Sequence, residues 1–266
     1  MGDTGLWIDS SLSRQRFMNP AQNIRNAVSR VSALRQASQA DPALHGAITS
    51  VKRFQARRFA HTYADLLSSG PYQDAARFFL DELYSDKDYS QRDAQFSRIA
   101  GALQTFFPMQ VVAIAVSLAG LHALTEDLDH KMGIEWLLAA GLANANEAQR
   151  YGHAWRAVGR RQDRDTQLND VLAVGDELDK LTRASGLRMM LKMMRRPASA
   201  AGLSSLQSFL ESGFDTFAEL SGRGKGAQEF LRIVRERESR LIEELFARTD
   251  EDSASARPTG ATTPAP

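Results

Sequence analysis

Between residues 57 and 93 the chain concentrates side chains that could move protons or hold an anion. Phe78-Phe79-Leu80-Asp81-Glu82-Leu83-Tyr84 is followed by Asp88, Arg92 and Asp93. Asp81 and Tyr84 are three apart and share a helical face. A turn over 85–89 would return Asp88, Arg92 and Asp93 toward them. Upstream, Arg58, His61 and Asp65 lie on one stripe, with Arg57 beside it. A turn over 68–72 joins these segments into a candidate polar cluster of Arg57, Arg58, His61, Asp81, Tyr84, Asp88, Arg92 and Asp93. As an acid/base or anion site it would use Arg57, Arg92, Asp81 and Tyr84. As a structural network it would pair carboxylates with the planar arginine fork and fix the angle between helices. The structural reading is favoured, because geometry rather than residue type makes a general acid.

Two weaker constellations follow. His122, Glu126 and His130 are spaced four and four apart, and helical neighbours at that spacing can share a metal ion. The stripe drifts by about 80° over eight residues, however, so one ion would not meet all three. There is no His-Glu-x-x-His sequence and no Glu-x-x-His pair of the ferritin-like kind, so no metal is expected. The run Arg188 to Arg196 interleaves methionine with basic residues. Methionine at helical spacing is more often core, but Arg188, Met189, Lys192, Met193 and Arg196 form a candidate interface with a protein, a second copy or an anionic membrane surface. Asp86, Asp88 and Ser90 imitate the start of a calcium loop. Gln91 and Ser97 stand where that loop needs glycine and glutamate. Gly222-Arg-Gly-Lys-Gly226 lacks the spacing of a phosphate loop.

The elements that must carry these residues read as helices. Pro20, Pro42, Pro71, Pro108 and Pro197 fall where helices would start, and Asn19 and Asp41 supply caps directly before two of them. Ile24, Val28, Val31 and Leu34 follow helical spacing, as do Leu44, Ile48, Val51, Phe54, Phe59, Tyr63 and Leu66. Tyr72 to Tyr84 predicts a short helix, and Ser90 an N-cap with Asp93 in the capping-box position. Met109 to Leu124 is almost wholly apolar and shorter than the roughly 20 residues of a membrane span. That length predicts the buried centre of a bundle, a helix over about 109–131. Further helices are expected over 134–158, 166–183, 186–195, 199–220 and 226–247, with the polar segment 159–165 as an exposed loop. The Arg232 to Glu244 run reads as a solvated face of interspersed charges.

The stretch from Phe78 to Tyr84, then Asp88 and Arg92-Asp93, resembles a family of uncharacterised proteobacterial proteins with an FFxxDLY…D…RD signature. The resemblance continues through Leu121-His-Ala-Leu124, Leu128-Asp129 and the glycine and aromatic positions between Gly202 and Phe214. It implies a shared fold over most of residues 50 to 247 and carries no reaction.

Composition narrows the remaining choices. In 266 residues, 33 basic side chains nearly balance 32 acidic ones, which argues against a nonspecific nucleic-acid binder. With no cysteine there are no disulfides, thiol nucleophiles or cysteine-held clusters. The first 16 residues show no secretory signal, so the cytoplasm is the expected location. The sequence predicts an all-α protein: a single multi-helix bundle over 19–248, a flexible segment 1–18 and a disordered tail 249–266. No cofactor and no transmembrane segment are expected. The leading functional expectation is a non-enzymatic interaction or regulatory module. The alternative is a small-molecule binder or enzyme with a pocket at Asp81, Tyr84, Asp88 and Arg92.

Overall fold

The computed structural model describes residues 19–84, 89–106, 109–139, 146–184 and 186–247. Among them every regular element is a helix: α1 (Pro20–Gln39), α2 (Pro42–Thr62), α3 (Ala64–Ser68), α4 (Gln73–Glu82), α5 (Ser90–Phe106), α6 (Met109–Leu138), α7 (Glu147–Val158), α8 (Arg161–Thr182), α9 (Leu187–Met193), α10 (Arg195–Ala200), α11 (Ser204–Gly222) and α12 (Gly226–Ala247). The proposed tails, and Pro108 as a helix start, lie outside the described residues.

The first two helices begin as their sequences predict. The Asn19 side chain accepts from the Gln22 amide at 3.1 Å, and Asp41 accepts from Ala43 and Leu44 at 3.0 and 3.2 Å. Each is followed by proline at the first helical position. Such caps contribute about 1 kcal/mol each by satisfying amides that the helix cannot. The α2 pattern continues past Tyr63 in the sequence, but the helix breaks there. Tyr63 is fully buried and donates its hydroxyl to Glu238, leaving α3 as a separate turn.

The apolar helix α6 is longer than its apolar run. At 30 residues it has the length and composition to cross a membrane, so length no longer argues against a span. It packs along α1, α2, α7 and α8, and buries Glu126, Asp127 and Asp129 beside Lys52, Arg30 and Arg160. Asp127 takes Arg30 at 3.1 Å and Arg160 at 2.5 Å. The helix runs past residue 131, where the sequence predicts its end, to Leu138. The helix expected over 134–158 is accordingly two elements, the end of α6 and α7. The latter is opened by a capping box of Asn146 and Gln149. The loop expected over 159–165 shrinks to Gly159 and Arg160, with Gly159 in the left-handed region at φ 67°.

Three apolar clusters hold the helices together. Ile24 and Val28 of α1 meet Ala115, Val116 and Ala119 of α6. Val51 of α2, Met132 and Trp136 of α6 and Trp155 of α7 form a second. Phe59, Phe79, Leu172, Phe217 and Phe230 join α2, α4, α8, α11 and α12 in the third. Gly133 sets the distance between α2 and α6: a methyl group there would sit 2.4 Å from Ile48 Cγ1.

Candidate functional site

Between the clusters lies a cavity of about 270 Å3, close to the size of small-molecule sites. Much of its wall is apolar: Phe78 of α4, Leu168, Val171 and Leu178 of α8, and Phe209 and Phe214 of α11. The polar part of the wall is formed by charged and hydrogen-bonding groups from α2, α4, α5, α6, α7, α8 and α12.

Helical register explains how these polar groups came inside. Arg58 shares the inward face of α2 with Lys52 and Gln55, and all three line the cavity. Its Nη1 donates to Glu238 Oε1 at 2.6 Å, and the Tyr63 hydroxyl donates to the same oxygen at 3.0 Å. Burial works against the Arg58 charge, but Glu238 beside it outweighs that and holds the proton more firmly than usual. Burial and the Glu238 charge together push the Tyr84 hydroxyl above its ordinary range. Tyr84 stacks on Phe59 with ring centroids 4.4 Å apart.

Arg164, one turn before Leu168 on α8, is 5% exposed and lies over the Trp155 ring at 3.9 Å. Its Nη1 donates to Gln167 Oε1 at 3.3 Å, while Nη2 meets no partner among the described residues. Burial pulls its pKa down. Trp155 Nε1 and Arg58 Nε are likewise buried without an acceptor among the described residues.

A third polar group runs along α6. Lys52 Nζ donates to Glu126 at 2.8 Å, Arg35 bridges Glu126 and Asp93, and His122 Nε2 lies 2.9 Å from Asp93. Burial would raise both carboxylates, but His122 and Arg35 at Asp93, and Lys52 with its neighbours at Glu126, prevail and lower them. Asp129 differs. Gln55 donates to it at 3.0 Å and Lys52 stands 4.0 Å away, and burial wins, raising its pKa.

The predicted cluster therefore divides. Arg58, Tyr84, Arg92 and Asp93 line the cavity. Arg92 pairs with Glu82 at 2.8 Å and lies over the rings of Tyr89 and Phe209. Asp93 Oδ2 pairs with Arg35 and His122. Arg57 points outward to an exposed pair with Glu147, and His61 and Asp81 are exposed. Asp88 lies outside the described residues. Among the described residues no three His, Asp or Glu side chains are placed to hold a metal ion. His122 and Glu126 face Arg35 instead, and His130 Nδ1 is buried without a hydrogen bond. Arg188, Met189, Lys192, Met193 and Arg196 are all exposed, Met189 at 62% and Met193 at 65%. The core position in that run belongs to Leu191.

The residues missed from sequence are Arg164, Trp155, Asp129 and Glu238. A signal for two of them was present. Glu238 continues the apolar stripe of Phe230 and Val234 at the next four-residue step, and Arg164 precedes Leu168 by the same step. A charge in register with a core stripe points inward.

No curated protein and no solved structure matches the chain. The family described as "Domain of unknown function (DUF8198)" matches residues 34–252, which takes in every polar residue of the cavity wall. The chain belongs to that family.

Proposed function

We propose that this chain is a non-enzymatic binding module whose ligand is a small, largely apolar molecule held in the central cavity. One observation carries the reading: an apolar cavity of about 270 Å3, with buried polar groups gathered on part of its wall. Ligand sites have this form, whereas close-packed interiors leave few voids larger than a water molecule. The reading keeps the pocket anticipated near Tyr84 and Arg92 and moves its polar centre to Arg58 and Arg164. It also takes the chain to work apart from nucleic acid, as its balanced charge suggests, and in the cytoplasm.

Titration with the neutral dye Nile red tests it, alongside native mass spectra of gently purified full-length protein. One saturable dye site per chain, or a retained mass released by organic solvent, is the expected result. Leu178→Trp, which would fill the cavity from α8, should remove dye binding while the helical circular dichroism persists. Absence of both a saturable site and a retained mass would overturn the reading.

A second reading has its own support. The exposed Met189 and Met193, flanked by Arg188, Lys192 and Arg196, offer a soft cationic surface to a protein partner or a second copy. A Met189→Glu/Met193→Glu variant that leaves the oligomeric state and partner capture unchanged would count against it.

A further inference from the structure

We infer that the ligand carries a single negative charge at one end of an apolar body, and that Arg164 holds that end; this rests on the cavity being a ligand site.

The argument begins with charge pairing around the cavity. Arg58 has Glu238, Lys52 has Glu126, Arg35 has Asp93 and Arg92 has Glu82. Among the described residues no carboxylate lies within ion-pair distance of Arg164, although it is 5% exposed and lines the cavity. A buried charge without a partner is strongly disfavoured, so natural proteins give such groups a counter-charge. Asp129 influences Arg164 electrostatically, but its hydrogen bond goes to Gln55 and burial favours its neutral form. It is a poor counter-ion.

The hydrogen-bond inventory points the same way. Arg164 Nη2, Trp155 Nε1 and Arg58 Nε are buried on the cavity-lining residues, and none has an acceptor among the described residues. Arg164 and Trp155 are in direct contact, and Tyr84 and Tyr151 lie within electrostatic reach of both arginines. All three orphaned groups are donors, so what complements them is an acceptor. A carboxylate offers two oxygens in the plane that a guanidinium fork prefers.

Charge also sets an upper bound. Among the described residues Arg164 is the one cavity-lining arginine or lysine with no carboxylate within ion-pair distance, so a group of charge near −1 would pair it. A phosphate monoester, with about −1.5 to −2, would leave excess negative charge close to Asp129 and Glu238. The cavity has the volume of roughly nine liquid waters and an apolar wall along α8 and α11. The chemistry that fits is a medium-chain monocarboxylate.

Three probes of equal chain length test the inference by calorimetry on the full chain: decanoate, 1-decanol and decyltrimethylammonium. Wild-type protein should bind decanoate at least tenfold more tightly than decanol, and the cationic probe most weakly. Arg164→Met should erase the preference for decanoate over decanol while leaving decanol affinity within about twofold. If that variant fails to fold, the wild-type comparison still decides. Equal binding of decanoate and decanol by the wild type overturns the head-group assignment and leaves the ligand cavity standing. So does a preference that survives in Arg164→Met. Binding of none of the probes, together with no Nile red site, removes both.

Discussion

Replacing Glu238 by glutamine should destabilise the ligand-free fold far more than the loss of one surface charge would. The Glu238 side chain is 7% exposed, accepts from Arg58 Nη1 at 2.6 Å and from the Tyr63 hydroxyl at 3.0 Å, and among the described residues is the one carboxylate paired with Arg58. Glutamine keeps the volume and an acceptor oxygen, so the packing and the tyrosine hydrogen bond survive. What disappears is the negative charge opposite a buried guanidinium. Removing one member of a buried pair costs about 3–5 kcal/mol; the retained acceptor places this variant near the lower end, at about 3 kcal/mol. For a domain of this size each kcal/mol moves the midpoint by about 2–4 °C, which gives a drop of roughly 6–12 °C. The double variant Arg58→Met/Glu238→Gln removes both charges and should regain about 2 kcal/mol relative to the sum of its single variants. Thermal and urea unfolding followed by circular dichroism at 222 nm and neutral pH would measure all four proteins. A loss below about 1 kcal/mol in Glu238→Gln, or strict additivity in the cycle, would refute the reasoning.

Two further outcomes are expected. Asp129→Asn should raise stability at neutral pH, because burial lifts the native pKa of Asp129 above its unfolded value. The native state then resists deprotonation, so the penalty is absent below about pH 4 and grows as pH rises through the native pKa. Urea midpoints of wild type and variant should thus converge in acid and separate at neutral pH; a variant less stable at pH 7 would contradict this. Gly133→Ala should destabilise by about 1–2 kcal/mol, the overpacking against Ile48 outweighing the gain in helix propensity. Adding Ile48→Ala should return part of that loss in the same unfolding assay.

How far the fold was legible depends on where each signal lay. The starts of α1 and α2 are local, since a cap and a proline suffice, and they were readable. The end of α6 is not local. Glu126, Asp127 and Asp129 look like the exposed end of an apolar helix until Lys52, Arg30 and Arg160 arrive from other helices to pair with them. The residues around the cavity divide along the same line. Arg58, Tyr84, Arg92 and Asp93 stood out because aromatic and charged residues crowd together near them in the sequence. Glu238 was hidden in an alternating charged run whose neighbour Arg237 does face outward to Asp65. Arg164 was hidden in a segment that reads as a polar loop. Its helix begins at Arg161, after Gly159 turns the chain, and the first turn is drawn over Trp155. Register against the neighbouring apolar stripe would have revealed both, whereas Arg57 and His61, conspicuous in the sequence, lie outside.

The bond between Arg58 and Glu238 joins residues 180 positions apart. During synthesis α2 therefore waits for nearly the whole chain, and at a rate of about 5–20 residues per second the delay is on the order of 10–40 s. Throughout that interval Arg58 and Tyr63 lack their acceptor, and the cavity lacks the wall that Val234, Glu238 and Leu241 supply. Nascent chains halted before α12 should consequently be held by chaperones or degraded, since the step that buries the Arg58 charge is also the one that closes the interior. Folding of this bundle is in that sense completed from its C-terminal end.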